Sequence, residues 1–232
     1  MSDKRTGQFK ALYHARRLLL PRFLIVLSQH TFQMETELVA KSKSYAHGVL
    51  TNLPEVYTYH NLKHTMAVVA AAEEVGRKSG LSNSELETVL VAAWLHDTGY
   101  EKGSNNHEQN SARTAIRLLR EWNAPQQTIR SVTGAIEATS MPQNPKNPLE
   151  QVLCDADLYH LSDRDLLNQL EGLRLEFASF KNLKFDTQDD WIRFNIEFLN
   201  GHTYFTSYGQ TVLQERKREN INKLKKMLKG PN

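Results

Sequence analysis

The chain has 232 residues, a formal net charge of +3 and a single cysteine. The small charge is spread along the sequence, which argues against nucleic-acid binding, and one cysteine without an export signal predicts a protein of the reducing cytoplasm. The most apolar N-terminal run, residues 18–27, is interrupted by Pro21 and is too short to span a bilayer, so a membrane protein is also excluded.

The predicted elements are all helices, because apolar residues recur at helical spacing and alternating strand patterns are nearly absent. In chain order the predicted helices span residues 22–45, 60–80, 82–97, 107–122 and 125–138, then one that holds Asp157, then 164–180, 189–199 and 208–228. Ser82 and Glu85 have the spacing of a capping box at the start of the third helix. The sequence thus predicts an all-α protein with one domain over residues 1–232.

Metal-binding residue types follow one another along these helices. His96 and Asp97 stand where a long apolar helix gives way to a loop marked by Gly99. Upstream, His60 and His64 are four residues apart and are predicted to share one helical face. Imidazole and carboxylate groups together suit a divalent cation that keeps positions open for water and phosphate oxygens.

The order of His64, then His96 and Asp97, then a distant Asp157 resembles the signature of the HD-domain superfamily of metal-dependent phosphohydrolases. The resemblance implies a single HD-type helical bundle with its core at about residues 45–180 and with N- and C-terminal helices packed on it or paired across a two-fold homodimer. It also implies that these four residues bind a divalent cation, which on donor chemistry is manganese, iron, magnesium, cobalt, nickel or zinc.

Residues 59–61 followed by His64 also resemble the opening motif of cyclic-nucleotide phosphodiesterases. This implies that His60 is the general acid for the leaving oxygen, and the alternative is that His60 only hydrogen-bonds a neighbouring carboxylate. We expect Asp97 to take a proton from the attacking water. His107 opens a predicted helix, so it is expected to contact the substrate phosphate or a second metal ion.

The resemblance implies hydrolysis of a phosphate ester or phosphodiester of a small nucleotide, with cyclic mononucleotides as the first candidates. The alternatives are a nucleotidase or pyrophosphohydrolase acting on nucleoside mono- or triphosphates, a metal-dependent nucleotide sensor without turnover, and a structural helical protein. Residues 98–103 lack the Glu-Asp pair of guanosine tetraphosphate hydrolases, and the chain lacks the Gly-Tyr-Pro signature of the cyclic di-GMP subgroup. The expected partner is therefore a small phosphorylated substrate, without nucleic acid or membrane.

Three further features have structural interpretations. Cys154 lies among apolar residues, which predicts a buried thiol and not a nucleophile. Asp155 is two positions from Asp157 on the same helix, so it points elsewhere and is predicted to be a cap or a supporting acid. The basic segment 216–229 is predicted to be a solvated helix whose cations favour the helix C-terminus.

Overall fold

The computed structural model describes residues 35–180 and 183–228, and the regular elements of this part of the chain are all helical, which confirms the predicted all-α class. The α-helices are α1 (Glu37–Leu50), α2 (Leu62–Lys78), α3 (Asn83–Leu95), α4 (His107–Glu121), α5 (Gln126–Ala138), α6 (Pro148–Asp157), α7 (Leu166–Phe180), α8 (Gln188–Gly201) and α9 (Gln214–Leu228). Short 3₁₀ turns follow α3 (Thr98–Lys102) and α6 (Tyr159–Ser162), and a π-helical turn (Gly209–Leu213) precedes α9.

Polar side chains define where the helices around the predicted metal ligands begin. Asn61 accepts hydrogen bonds from the first turn of α2, including the backbone N–H of His64. Ser82 and Glu85 form the predicted capping box at the start of α3. Asn147 caps α6 in the same way as Asn61 caps α2. These local bonds fix the position of each ligand within its helix.

Helix α3 lies at the centre of the bundle and contacts α1, α2, α4, α5 and α6. A helix that is apolar on all sides is stable only when other elements surround it and remove its surface from water. Its fully buried side chains are Val89, Val91, Ala92, Ala93 and Leu95. The C-terminal end of α3, which carries His96, is consequently held from several directions.

The first helix departs from its prediction. The predicted start at residue 22 lies outside the described residues, and the predicted end at Tyr45 is wrong because α1 continues to Leu50. Ala46 and Leu50 extend the buried face of the helix, and burial of these side chains favours the additional turn.

Helix α9 packs on α8 and on the turn 159–162. The prediction of a solvated basic helix over 216–229 is wrong for Lys217, whose side chain is fully buried. Its ammonium group donates to the carbonyl oxygen of His202, and burial lowers the pKa of Lys217 to about 8. Across the described ranges, none of the helices combines the length and the apolar character that a membrane-spanning segment requires.

Candidate metal centre

Two imidazoles and two carboxylates from three helices meet at one point of the bundle. His64 Nε2 lies 3.2 Å from Asp157 Oδ1 and 3.6 Å from Asp97 Oδ2. His96 Nε2 lies 3.2 Å from Asp97 Oδ2 and 3.6 Å from Asp157 Oδ1. The ligand atoms of His64, His96 and Asp157 all lie within 4.8 Å of one another, with Asp97 beside both imidazoles. The four residues that were predicted to share a metal ion are thus brought together.

The hydrogen bonding of this cluster fits a cation. His96 Nδ1 contacts the carbonyl oxygen of Ala93 at 2.8 Å, so Nδ1–H donates there and the Nε2 lone pair points into the cluster. Among the described residues, the buried His96 Nε2 and Asp97 Oδ2 contact each other at 3.2 Å, but neither atom makes a hydrogen bond. Buried polar atoms are rarely left unpaired, and imidazole nitrogen with carboxylate oxygen is a common donor set for first-row divalent metals.

The charges of the cluster agree with this interpretation. Burial alone would raise the pKa of Asp157, but hydrogen bonds and positive charge from His64 and His96 hold it well below its usual range. Burial opposes a charged His96, yet the carboxylate of Asp97 raises the pKa of that imidazole well above its usual value. The carboxylates are therefore ionised and attract positive charge, which a metal ion would supply in place of protons.

Gly99 allows the turn after the metal pair to lie against α4. A Cβ atom at this position would be 2.0 Å from the carbonyl oxygen of His107 and 2.7 Å from the backbone nitrogen of Ser111. The Gly99 N–H also donates to Ser111 Oγ at 2.8 Å. Because Gly99 has no side chain, the turn can pack against the start of α4, and His107 consequently lies close to Asp97.

His60 occupies a different position from the one predicted. It lies before the Asn61 cap and outside α2, so the prediction that His60 and His64 share one helical face is wrong. The side chain of Asn61 accepts hydrogen bonds from the N-terminal amides of α2, so the helix begins directly after this residue and does not include His60. The His60 and His64 rings nevertheless remain 5.6 Å apart.

Glu176 of α7 holds His60 in this position. One carboxylate oxygen accepts the backbone N–H groups of Tyr59 and His60 at 2.9 and 3.0 Å, and the other accepts His60 Nδ1–H. Burial lowers the pKa of His60, but the hydrogen bond to Glu176 and the negative charges of Asp97, Glu176 and Asp157 together raise it above its usual value. The sequence did not lead us to Glu176. The signal that the sequence offered was an acidic residue at the edge of the apolar face of the predicted helix 164–180.

His107 lies next to His60, with 6.0 Å between the ring centroids. Its Nε2 is 3.8 Å from Asp97 Oδ1, and its Nδ1 is 3.1 Å from the carbonyl oxygen of Ser104. The Tyr100 ring contacts both His107 and His60, with centroid distances of 4.2 and 4.7 Å. His60 and His107 thus flank the carboxylate side of the candidate metal centre.

A cavity of about 570 Å³ opens on this side. Asp97 and Asp157 line it together with His60 and His107, whereas His64 and His96 do not. The side chain of Asp157 is 20 % exposed, whereas those of His96 and Asp97 are each 2 % exposed, so the cluster is most accessible beside Asp157. The cavity is large enough for a small organic ligand.

The neighbours of Asp157 have structural roles. Asp155 accepts the backbone N–H groups of Phe205 and Thr206 at 2.7 and 2.9 Å, in agreement with the predicted capping role. Cys154 is fully buried, and burial raises the pKa of its thiol, so the geometry agrees with a structural cysteine.

A protein-family model matches the central part of the chain. Residues 61–162 match the family model of the HD domain. No curated protein sequence matches the chain. The resemblance to the HD-domain superfamily is thereby confirmed, whereas the phosphodiesterase-like motif at residues 59–64 stays a prediction.

Three solved structures share the fold. A predicted HD superfamily hydrolase from an uncultured Thermotogales bacterium is 15 % identical, with 82 % of this chain and 91 % of that chain covered and a TM-score of 0.59. The Lin1889 protein from Listeria innocua is 16 % identical, with 84 % and 98 % covered and a TM-score of 0.56. A protein from Lactobacillus plantarum is 17 % identical, with 85 % and 100 % covered and a TM-score of 0.57. At these identities the likeness establishes the fold alone.

Proposed function

We propose that this protein, whose residues 61–162 match the family model of the HD domain, is a metal-dependent phosphohydrolase acting on a phosphate ester or phosphodiester of a small nucleotide. Cyclic mononucleotides are the first candidates because of the motif at residues 59–64. The observation that carries the proposal is the cluster of His64, His96, Asp97 and Asp157, in which the buried His96 Nε2 and Asp97 Oδ2 lie 3.2 Å apart without a hydrogen bond, beside a cavity lined by the two carboxylates of the cluster.

In this proposal His64, His96, Asp97 and Asp157 hold the divalent cation. When bound, such a cation lowers the pKa of water and stabilises negative charge on phosphate oxygen. Asp97 has its Oδ2 buried between the two imidazoles, which leaves Oδ1 to accept the proton of the attacking water.

His60 protonates the leaving oxygen in this proposal. Glu176 engages Nδ1 and the backbone, so the ring is fixed and only Nε2 remains to donate a proton into the cavity. The two sequence interpretations of His60, a general acid or a partner of a carboxylate, are compatible in this geometry, because the carboxylate orients the acid.

His107 is proposed to bind a phosphate oxygen. It lies in the first turn of α4 and lines the cavity beside His60, 6.0 Å away between ring centroids. Its Nδ1–H donates to the carbonyl oxygen of Ser104 or is shared with Glu108, whose Oε2 is 3.5 Å away, so the ring is oriented by its own loop and helix. Positive partial charge at a helix N-terminus favours an anion at this point.

A panel assay with purified protein tests the proposal. Phosphate and nucleoside release is measured from cyclic nucleotides, nucleoside mono- and triphosphates and a generic phosphodiester, with manganese, magnesium, cobalt or nickel added. We expect turnover in the wild type and a loss of about a hundredfold or more in Asp97→Asn, because the variant lacks both a ligand charge and a proton acceptor.

The matched control is Asp165→Asn, which changes an exposed acid outside the cavity and is expected to retain wild-type turnover. Metal binding without release from any member of the panel would contradict a hydrolase and favour the nucleotide sensor.

A further inference from the structure

The cavity beside the candidate metal centre has an apolar part that the proposed chemistry does not use. Helices α7 and α8 and the turn after α6 supply its walls, with Leu161, Leu170, Leu173, Phe177, Phe194 and Phe198 among the lining residues. Leu173, Phe194 and Phe198 remain only half-buried although they sit within the bundle. Apolar surface left accessible inside a concave site indicates a ligand that covers it.

The charged lining residues are all acids or histidines. Among the described residues that line the cavity there is no lysine or arginine, and the carboxylates of Asp97, Glu108 and Asp157 are present. Chains of two or three phosphates are generally bound by lysine and arginine, which neutralise their charge and donate several hydrogen bonds. A metal ion at one end of this cavity and His107 can together compensate one phosphate, but the described lining residues provide no lysine or arginine for a second or third.

We infer that the substrate carries a single phosphate and an uncharged, mainly apolar group that lies against α7 and α8. The inference deepens the proposed function, on which it rests for the cleavage of the phosphate. A nucleotide satisfies it as a monophosphate or cyclic monophosphate whose flat base packs against Phe177 and Phe198, while a nucleoside triphosphate does not.

The inference is tested by binding, independently of turnover. Alkylphosphonates have a carbon–phosphorus bond that phosphoester hydrolysis does not cleave, so their affinity for manganese-supplied protein is measured by titration calorimetry. We expect octylphosphonate to bind about tenfold or more tighter than ethylphosphonate, since full burial of one methylene is worth about fourfold in affinity. Inorganic tripolyphosphate is expected to bind more weakly than octylphosphonate.

Two substitutions on α7 distinguish the effect of a residue in the cavity wall from that of a residue on the outer surface. Leu173 lines the cavity, whereas Leu175 is 52 % exposed and does not line it. Leu173→Gln is expected to weaken octylphosphonate binding about fivefold and to leave ethylphosphonate unchanged, because the glutamine amide meets the alkyl chain. Leu175→Gln is expected to bind both ligands as the wild type does. Thermal unfolding of both variants verifies that the bundle is intact.

Affinity that is independent of chain length, or no measurable binding of octylphosphonate, overturns the inference. So does tighter binding of tripolyphosphate, or equal behaviour of the two leucine variants. The outcome is distinct from that of the hydrolase proposal. A phosphonate series that behaves as expected without turnover on any substrate refutes the hydrolase alone, and efficient cleavage of triphosphates with no chain-length effect refutes this inference alone.

Discussion

Buried carboxylates at the site differ in whether their hydrogen bonds are satisfied. Glu176 and Asp155 are buried, and each accepts several N–H or O–H groups. Asp97 is equally buried, yet among the described residues its Oδ2 makes no hydrogen bond and faces only the Nε2 atoms of His96 and His64, at 3.2 and 3.6 Å. Because an ionised carboxylate is costly to bury without a partner, the satisfied acids have structural or orienting roles and Asp97 is suited to a cation.

Glu176→Gln tests the orienting role. The amide keeps the shape of the side chain but removes the charge that raises the pKa of His60. We expect kcat to fall about 10- to 100-fold, as is typical for a group that orients a catalytic residue. A general acid must be protonated to act, so a lower pKa of His60 moves the alkaline limb of the pH–rate profile to lower pH.

The matched control for this variant is Glu171→Gln on the same helix, where the side chain is 55 % exposed. Its rate and pH profile should follow the wild type. An alkaline limb that stays at the same pH in Glu176→Gln would refute the assignment of His60 as an acid controlled by Glu176.

At the level of elements, the site depends on how the turn 98–102 joins α3 to α4. The turn lies against the start of α4, and Asn106 adopts the left-handed conformation with φ of 54° before the helix begins. Gly99 allows the two segments to touch through backbone atoms. This contact determines the distance between Asp97 and His107, so the geometry of the carboxylate side is a property of the junction between two helices.

Gly99→Ala is expected to destabilise the protein by about 1–3 kcal/mol, because backbone atoms must move to admit the methyl group. Gly48→Ala in α1 is the control, since nothing lies within 4 Å of its Cβ position. That substitution is expected to stabilise the helix by about 0.5–1 kcal/mol. Urea unfolding measures both changes, and equal midpoints for the two variants would contradict the close packing at Gly99.

At the level of the whole molecule, the candidate ligands connect three helices. His64 is in the first turn of α2, His96 caps α3 and Asp157 ends α6. A cation that binds the native arrangement alone stabilises the fold by mass action. The cation and the bundle are therefore expected to support each other.

Manganese added at about a hundredfold excess over its dissociation constant is expected to raise the melting temperature by about 5–10 °C, corresponding to about 2.7 kcal/mol. A chelator should reverse the change. His64→Ala is expected to abolish it, whereas His47→Ala, which removes an exposed histidine of α1, should preserve it. Calorimetry in which His64→Ala retains the full shift would show that the ion binds elsewhere.

The sequence by itself determined the helical class, most helix boundaries and the identity of the four candidate ligands. These follow from local information, since capping side chains such as Asn61 and Ser82 act over three residues and apolar periodicity acts over one helix. The pair His96 and Asp97 was recognisable because adjacent residues carry it. The position of His60 was predicted wrongly because the helical spacing of His60 and His64 was followed and the local cap at Asn61, which starts α2 after His60, was not recognised.

Tertiary structure decided the remaining features of the site. Glu176 reaches His60 from 116 residues away, and the apolar cavity wall comes from α7 and α8, which have no motif in common with the metal ligands. Contacts between segments so distant in sequence depend on how helices pack, and periodicity alone does not specify which faces meet. The candidate metal ligands were therefore recognisable in the sequence, while Glu176 as the partner of His60 and the shape of the cavity depended on the folded bundle.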